Sequence, residues 1–239
     1  MLPVFLSFCI LVCLAALGLM GFRTATASQF FDVAQIEVRG TERSSKDDIE
    51  RIVTTQTTRS GVWNADLFDI KARVEKLPFV RSAAVSRILP DGIRITVNER
   101  RPRAIAKLRS GDFLIDDEGV ILAPAEKAED TLPFTLLGWD ETRSPDADKA
   151  NLARLKMFEK MLAEWQQYDL AKRVKAVDLS DLSDPRAITE DSGRAVTISL
   201  GRDNFAEHLR RGIGAIVGKG EVFAGVELVG QNMILLPRK

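Results

Sequence analysis

Apolar residues in the first half of the chain follow two periods in turn. Ala34, Ile36 and Val38 alternate with Gln35, Glu37 and Arg39 before Gly40, which predicts a half-buried strand. Ser44 or Ser45 then stands three residues before an acid, Asp47 or Asp48, and Ile49, Ile52 and Val53 follow at helical spacing, a near capping box opening an amphipathic helix. Polar Thr54 to Asn64 predicts a connection. Asp69 is placed to cap a second helix, in which Ile70, Val74 and Leu77 recur at i, i+4 and i+7 until Pro78 stops it. Ala83 and Val85 alternate with Ala84 and Ser86, Pro90-Asp91-Gly92 supplies a turn, and Ile93, Ile95 and Val97 alternate with Arg94, Thr96 and Asn98. This is a β-hairpin with one apolar face, and the order strand, helix, helix, strand, strand puts both helices on one sheet face.

Beyond Glu99 the pattern changes. Arg100, Arg101 and Arg103 cluster around Pro102, which bars a central strand there; the cluster reads as solvated hinge surface, with acidic head groups or a partner as the functional alternative. Ile105 to Leu108, Phe113 to Ile115 and Val120 to Leu122, joined by Arg109-Ser110-Gly111-Asp112 and Asp117-Glu118-Gly119, predict a β-meander. Ala123 to Lys149 reads as a loop-rich crossing with one brief apolar patch, Leu132 to Trp139. Leu152, Leu155, Phe158, Leu162 and Trp165 keep helical spacing, and Phe158 and Trp165 read as core, not as a ligand platform. Strands follow at Val177 and Leu179 and at Val196, Ile198 and Leu200. Phe205, Leu209, Ile213, Ile216 and Val217 fit a last helix weakened by Gly212 and Gly214, and Ala224 to Leu236 reads as two strands around Gly230-Gln231-Asn232.

The N-terminus is of another kind. Met1 to Phe22 carries no charged side chain, and a helix of that length reaches roughly 33 Å, enough to cross a hydrocarbon core of about 30 Å. A transmembrane anchor is expected, followed by a linker over 23–30. The competing reading is a cleaved signal peptide, because Ala25-Thr26-Ala27 has the A-x-A spacing; the long uncharged run and the missing basic n-region argue against it. Val12 before Cys13 does not suit a lipobox.

Composition narrows the function. Of 239 residues 45% are apolar, enough for a substantial core, and 34 basic residues balance 34 acidic ones, which gives no electrostatic reason to expect nucleic acid. Cys9 and Cys13 are the only cysteines, so nothing after Arg23 can form a disulfide or a Cys-ligated metal site. His208, the single histidine, reads as a surface or boundary residue, not a metal ligand. Asp116, Asp117 and Glu118 are adjacent on a strand-turn and read as hairpin chemistry rather than a carboxylate pair. Gly218-Lys219-Gly220 lacks P-loop spacing, and no nucleophile elbow is present. The expectation is a non-enzymatic protein with no cofactor.

One ordered set of segments resembles a known family. Leu77-Pro78-Phe79-Val80, Ala83-Ala84-Val85-Ser86-Arg87, Pro90-Asp91 and Glu99-Arg100-Arg101-Pro102-Arg103-Ala104, with Phe31 to Gly40 before them and Phe113 to Val120 after them, are similar to the POTRA module and following segment of the bacterial cell-division proteins FtsQ and DivIB. The resemblance implies an α+β chain: a single N-terminal transmembrane helix over 1–22, a β-α-α-β-β POTRA module over 31–99, and a mixed second domain over 100–239 with a largely antiparallel sheet. It implies a single-pass type II protein of the cytoplasmic (inner) membrane, its bulk extracytoplasmic at the septum. The work it implies is scaffolding, bridging early and late division proteins and helping control septal wall synthesis. Such proteins have a basic cytoplasmic tail, so the true start is expected upstream of Met1. Their second domain offers a sheet edge to small bitopic partners of the FtsB and FtsL type, which add a strand. On this chain that expectation falls on Val226, Leu228, Met233 and Leu235, with a plain internal strand as the alternative reading. Val226-Glu227-Leu228 matches the family's apolar-acid-apolar start, whereas Val229 and Gly230 stand where an Arg-Tyr pair is common. Two alternatives stay open: a POTRA-containing outer-membrane assembly or secretion factor, which would need tandem modules or a barrel, and a secreted protein released near Ala27.

Overall fold

A computed structural model of the chain describes residues 10–21, 32–58, 60–125, 132, 134–230 and 232–238. The chain divides into two compact units at Arg100/Arg101. Residues 10–21 are helical. At 1.5 Å per residue that stretch reaches about 18 Å, and among the described residues no helix is long and apolar enough to cross a membrane. The rest of the expected anchor, and the cleavage motif at Ala25 to Ala27, lie outside the described residues.

The first unit has strand β1 (Gln35–Arg39), helices α1 (Lys46–Thr57), α2 (Gly61–Asn64) and α3 (Leu67–Val74), and strands β2 (Val80–Ile88) and β3 (Gly92–Glu99). The sheet order is β1-β3-β2, with β1 parallel and β2 antiparallel to β3. Ser45 caps α1, its hydroxyl accepting from Asp48 N at 3.1 Å. The expected cap at Asp69 is corrected: Asp66 caps α3, its carboxylate accepting from Phe68 N and Asp69 N, both at 3.0 Å. Asp69, one turn in, instead pairs with Arg73 at 2.8 Å across i,i+4. The expected connection Thr54 to Asn64 is corrected too, since α1 continues to Thr57 and α2 buries Val62. Ile49 and Val53 of α1 and Ile70 and Val74 of α3 pack on Ile93, Ile95 and Val97 of β3 and Ala83 of β2, so both long helices cover one sheet face. Ser44 N (2.7 Å) and Arg43 N (3.1 Å) donate to Glu99, tying the start of α1 to the end of β3.

The second unit is built on a nine-stranded sheet. Its strands are β4 (Ala104–Leu108), β5 (Gly111–Ile115), β6 (Ile121–Pro124), β7 (Thr135–Leu137), β8 (Val174–Asp178), β9 (Arg186–Asp191), β10 (Arg194–Ser199), β11 (Phe223–Val229) and β12 (Asn232–Pro237), in the order β12-β11-β10-β9-β8-β7-β4-β5-β6. Five of the eight pairings are antiparallel. The parallel joins β7/β8 and β10/β11 are crossovers through helices α4 (Pro145–Gln167) and α5 (Phe205–Ile216). The expected loop from Ala123 to Lys149 is corrected by β7, which lies in mid-sheet between β4 and β8. Phe134, just before β7, packs its ring 4.8 Å from Phe158 and 5.3 Å from Trp165 of α4. Phe158 and Trp165 are fully buried, as core residues. Val217, expected on the buried face of α5, lies past its end and is exposed.

Candidate partner-binding edge

The end of the sheet is organised by α5. Its buried residues Phe205, Leu209 and Ile216 join the core together with Ile198 of β10 and Val226 of β11. The helix comes so close to β10 that a Cβ on Gly212 would collide with Ile198 Cγ2. His208 lies on the same helix, half-buried; its Nδ1 is 2.7 Å from Leu200 O and so donates to that carbonyl, fastening α5 to the end of β10. The start of α5 is fastened from α4, where Glu164 accepts from Ala206 N at 3.1 Å. Sequence expectation and structure agree on His208 as a boundary residue.

The tail then forms the last hairpin. β11 pairs with β10 through Gly225 and Val226, and with β12 through Val226↔Leu235, Glu227↔Ile234, Leu228↔Met233 and Val229↔Asn232. Among the described residues only β12 closes the sheet on this side. Val226 and Leu228, expected on an edge, therefore stand on an internal strand: Val226 is buried under α5, and Leu228 packs beside Gly201. Met233 and Leu235 are on the edge strand, with side chains turned toward the core. Side chains of opposite register face out, and Ile234 and Leu236 are 47% and 40% exposed. Leu236 lines a cleft of about 230 Å³ with Arg186, Thr197, Ser199 and Glu227.

Two devices hold this edge in place. Arg238 Nη2 donates to Ala195 O (3.0 Å), Gly220 O (2.9 Å) and Phe223 O (3.4 Å), while its backbone N–H donates to Val222 O at 2.8 Å. A single guanidinium so bridges β10, the 218–220 loop and β11. Below it the Asp191 carboxylate accepts from Gly220 N (2.8 Å) and Gly218 N (3.0 Å), and these two bonds hold its pKa below the usual aspartate range. Gly218-Lys219-Gly220 is thus a cradle of backbone donors filled by the protein's own carboxylate. Sequence reasoning had not singled out Ile234, Leu236, Asp191 or Arg238; only the alternation along 232–237 pointed to the first two.

Elsewhere the polar side chains of the second unit take structural roles. Asp116 is fully buried and its Oδ1 accepts from Glu118 N (3.0 Å) and Val120 N (2.8 Å), closing the β5–β6 turn. Among the described residues no group of three or more His, Cys, Asp and Glu gathers as a metal site. What the end of the sheet offers is a row of backbone donors and acceptors flanked by alternate apolar side chains, the chemistry of strand addition.

Comparison with known proteins decides the family. Residues 31–100 match the family described as "POTRA domain, FtsQ-type" and residues 104–216 the family described as "Cell division protein FtsQ/DivIB, C-terminal". The chain belongs to the FtsQ/DivIB family of cell division proteins. It is 34% identical over 174 residues to the cell division protein FtsQ of Koribacter versatilis (strain Ellin345), an alignment covering 72% of this chain and 49% of that protein. With the FtsQ of Syntrophotalea carbinolica it shares 30% over 191 residues, 77% of this chain and 65% of the relative. The chain thus spans about half to two thirds of the length of these two relatives. The second family match ends at the close of α5, so β11 and β12 follow the matched residues.

Proposed function

We propose that this FtsQ/DivIB-family chain is a membrane-anchored, non-enzymatic scaffold of the division machinery. Residues 1–22 cross the cytoplasmic membrane, the POTRA module takes part in recruitment to the septum, and the second domain captures small bitopic proteins of the FtsB and FtsL type. In this way it links early and late division proteins and helps control septal wall synthesis. The observation that carries the reading is β12, the terminal strand of a nine-stranded sheet whose outer side pairs with no strand among the described residues. A partner strand added there gains main-chain hydrogen bonds from β12, and its alternate side chains meet Ile234 and Leu236. Arg186 and Glu227 in the adjoining cleft supply charge selectivity.

Two experiments test this. Depleting the protein in its host leaves cells that grow without septating; normal septation without a redundant copy contradicts the division role. Capture of the extracytoplasmic part of an FtsB-type protein by the purified chain weakens at least about tenfold, ~1.4 kcal/mol, in an Ile234→Asp/Leu236→Asp variant. Undiminished capture by a folded variant removes the edge from the account.

A further inference from the structure

The first unit has a chemically distinct end. β1 begins beside Gly92, with Gln35 in register with it, and Ala34 N and Gln35 N donate to Asp91 O at 2.9 and 3.2 Å. The chain therefore comes into the module next to the β2–β3 turn. β1 leads away from that end and α1 returns to it. α3 starts there and runs back toward the beginning of β2, where Glu75 accepts from Ala83 N at 3.0 Å. Arg87, two residues before the turn, donates to the carbonyls of Val62 (2.7 Å), Trp63 (3.1 Å) and Ala65 (2.8 Å) and pins the α2–α3 segment to the same end. Among the described residues of 32–100 three large apolar side chains are exposed, Phe68 at 86%, Leu89 at 56% and Trp63 at 38%. All three are on segments that meet at this end. Phe68 is in the first turn of α3, Leu89 in the β2–β3 turn and Trp63 in α2.

We infer that this end of the POTRA module lies on the lipid surface from which the chain emerges, with Trp63, Phe68 and Leu89 entering the head-group region. The inference rests on the anchor reading of residues 1–22. Chain length supports a lipid occupant over a distant one: twelve residues lie between 21 and 34, thirteen Cα steps that span at most about 45 Å, so the module's near end is held within that reach of the bilayer. Side-chain chemistry agrees. Tryptophan places an apolar ring with a polar N–H at the membrane–water interface, and exposed phenylalanine and leucine insert at the boundary of head groups and acyl chains. The charged residues on the same segments include Asp66, Asp69 and Asp91; Asp69 is paired with Arg73, and the guanidinium of Arg87 is engaged by the carbonyls of Val62, Trp63 and Ala65, so the contact inferred is apolar and does not call for anionic lipid. Docking would fix the module's sheet edges relative to the membrane, which a free tether does not.

The full chain reconstituted in vesicles of zwitterionic lipid brominated near the head-group end of the acyl chain tests this. Part of the tryptophan emission is quenched, and a Trp63→Phe variant loses that part, because Trp139 and Trp165 are buried in the second unit. A Phe68→Asp/Leu89→Asp variant loses the quenching while keeping the emission of the other tryptophans, and raising the salt concentration changes nothing. If the protein floats with the vesicles and resists alkaline extraction but Trp63 is not quenched, docking is wrong while the anchor stands, and a protein occupant takes its place. Quenching that persists in the Phe68→Asp/Leu89→Asp variant also overturns it. If the chain does not float, the anchor reading fails and the inference falls with it.

Discussion

Two glycines two residues apart on α5 are expected to respond to alanine in opposite directions. Gly212 faces β10: an added Cβ would collide with Ile198 Cγ2 and stand 3.3 and 3.4 Å from its Cδ1 and Cβ. Ile198 is fully buried and β-branched, with one strongly favoured χ1, so it has little room to yield. Overpacking costs about 1–3 kcal/mol, and contact this close with a buried, β-branched side chain belongs to the upper part of that range, about 2–3 kcal/mol, against which replacing a helical glycine recovers up to ~1 kcal/mol. Gly212→Ala therefore destabilises the second unit by a net ~1–2 kcal/mol. Gly214 has no atom within 4 Å of its Cβ position and an ordinary φ, so Gly214→Ala leaves packing untouched and stabilises by about 0.5–1 kcal/mol. Urea unfolding followed by tryptophan fluorescence measures both, since Trp139 and Trp165 are buried in this unit and report its core. The pair of signs is the test. If Gly212→Ala is neutral or stabilising, α5 does not approach β10 as closely as described, and the seating of β11 and β12 beneath it must be redrawn.

Arg87→Lys replaces a planar fork by a point donor that cannot serve three carbonyls at once; at this exposed site the loss is about 1 kcal/mol, read as faster proteolytic cutting between α1 and α3. Arg238→Ala leaves the carbonyls of Ala195 and Gly220 without their shared donor and costs ~1–3 kcal/mol locally, seen as faster amide exchange in β12 while the first unit is unchanged. Asp191 has its folded pKa lowered by the Gly220 and Gly218 amides, so its contribution is fully present above the ordinary aspartate value of about 3.9 and is lost as pH falls through the lower folded value. Acid titration of stability shows that loss in the native protein, and an Asp191→Asn variant shows a flatter profile over the same window.

Most of the first unit was legible because its strands alternate cleanly and its hairpin turn is short. What escaped there was local competition. Asp69 directly precedes Ile70, but Leu67 packs against the core and draws the helix start back to Asp66. In the second unit β7 is three residues long, too short for alternation to register, and earns its place from parallel neighbours distant in sequence. β9 was missed for a different reason. Its buried positions are Ala187 and Thr189, a face too small and too polar to mark a strand. The terminal hairpin was read correctly as two strands, but which of them is the edge depends on the crossover through α5 that sets β11 parallel to β10. No pattern within 224–236 encodes that order, so Val226 and Leu228 were expected where Ile234 and Leu236 in fact face out.

Hydrogen–deuterium exchange resolved to single amides along β12, with and without the extracytoplasmic part of an FtsB-type partner, tests the strand-addition account most directly. In the free chain the β12 amides that point away from β11 exchange quickly and those bonded to it slowly. Binding is predicted to protect that fast set, every second residue between Asn232 and Leu236. Protection on α5 or in the first unit with the β12 amides unchanged would contradict the proposed edge.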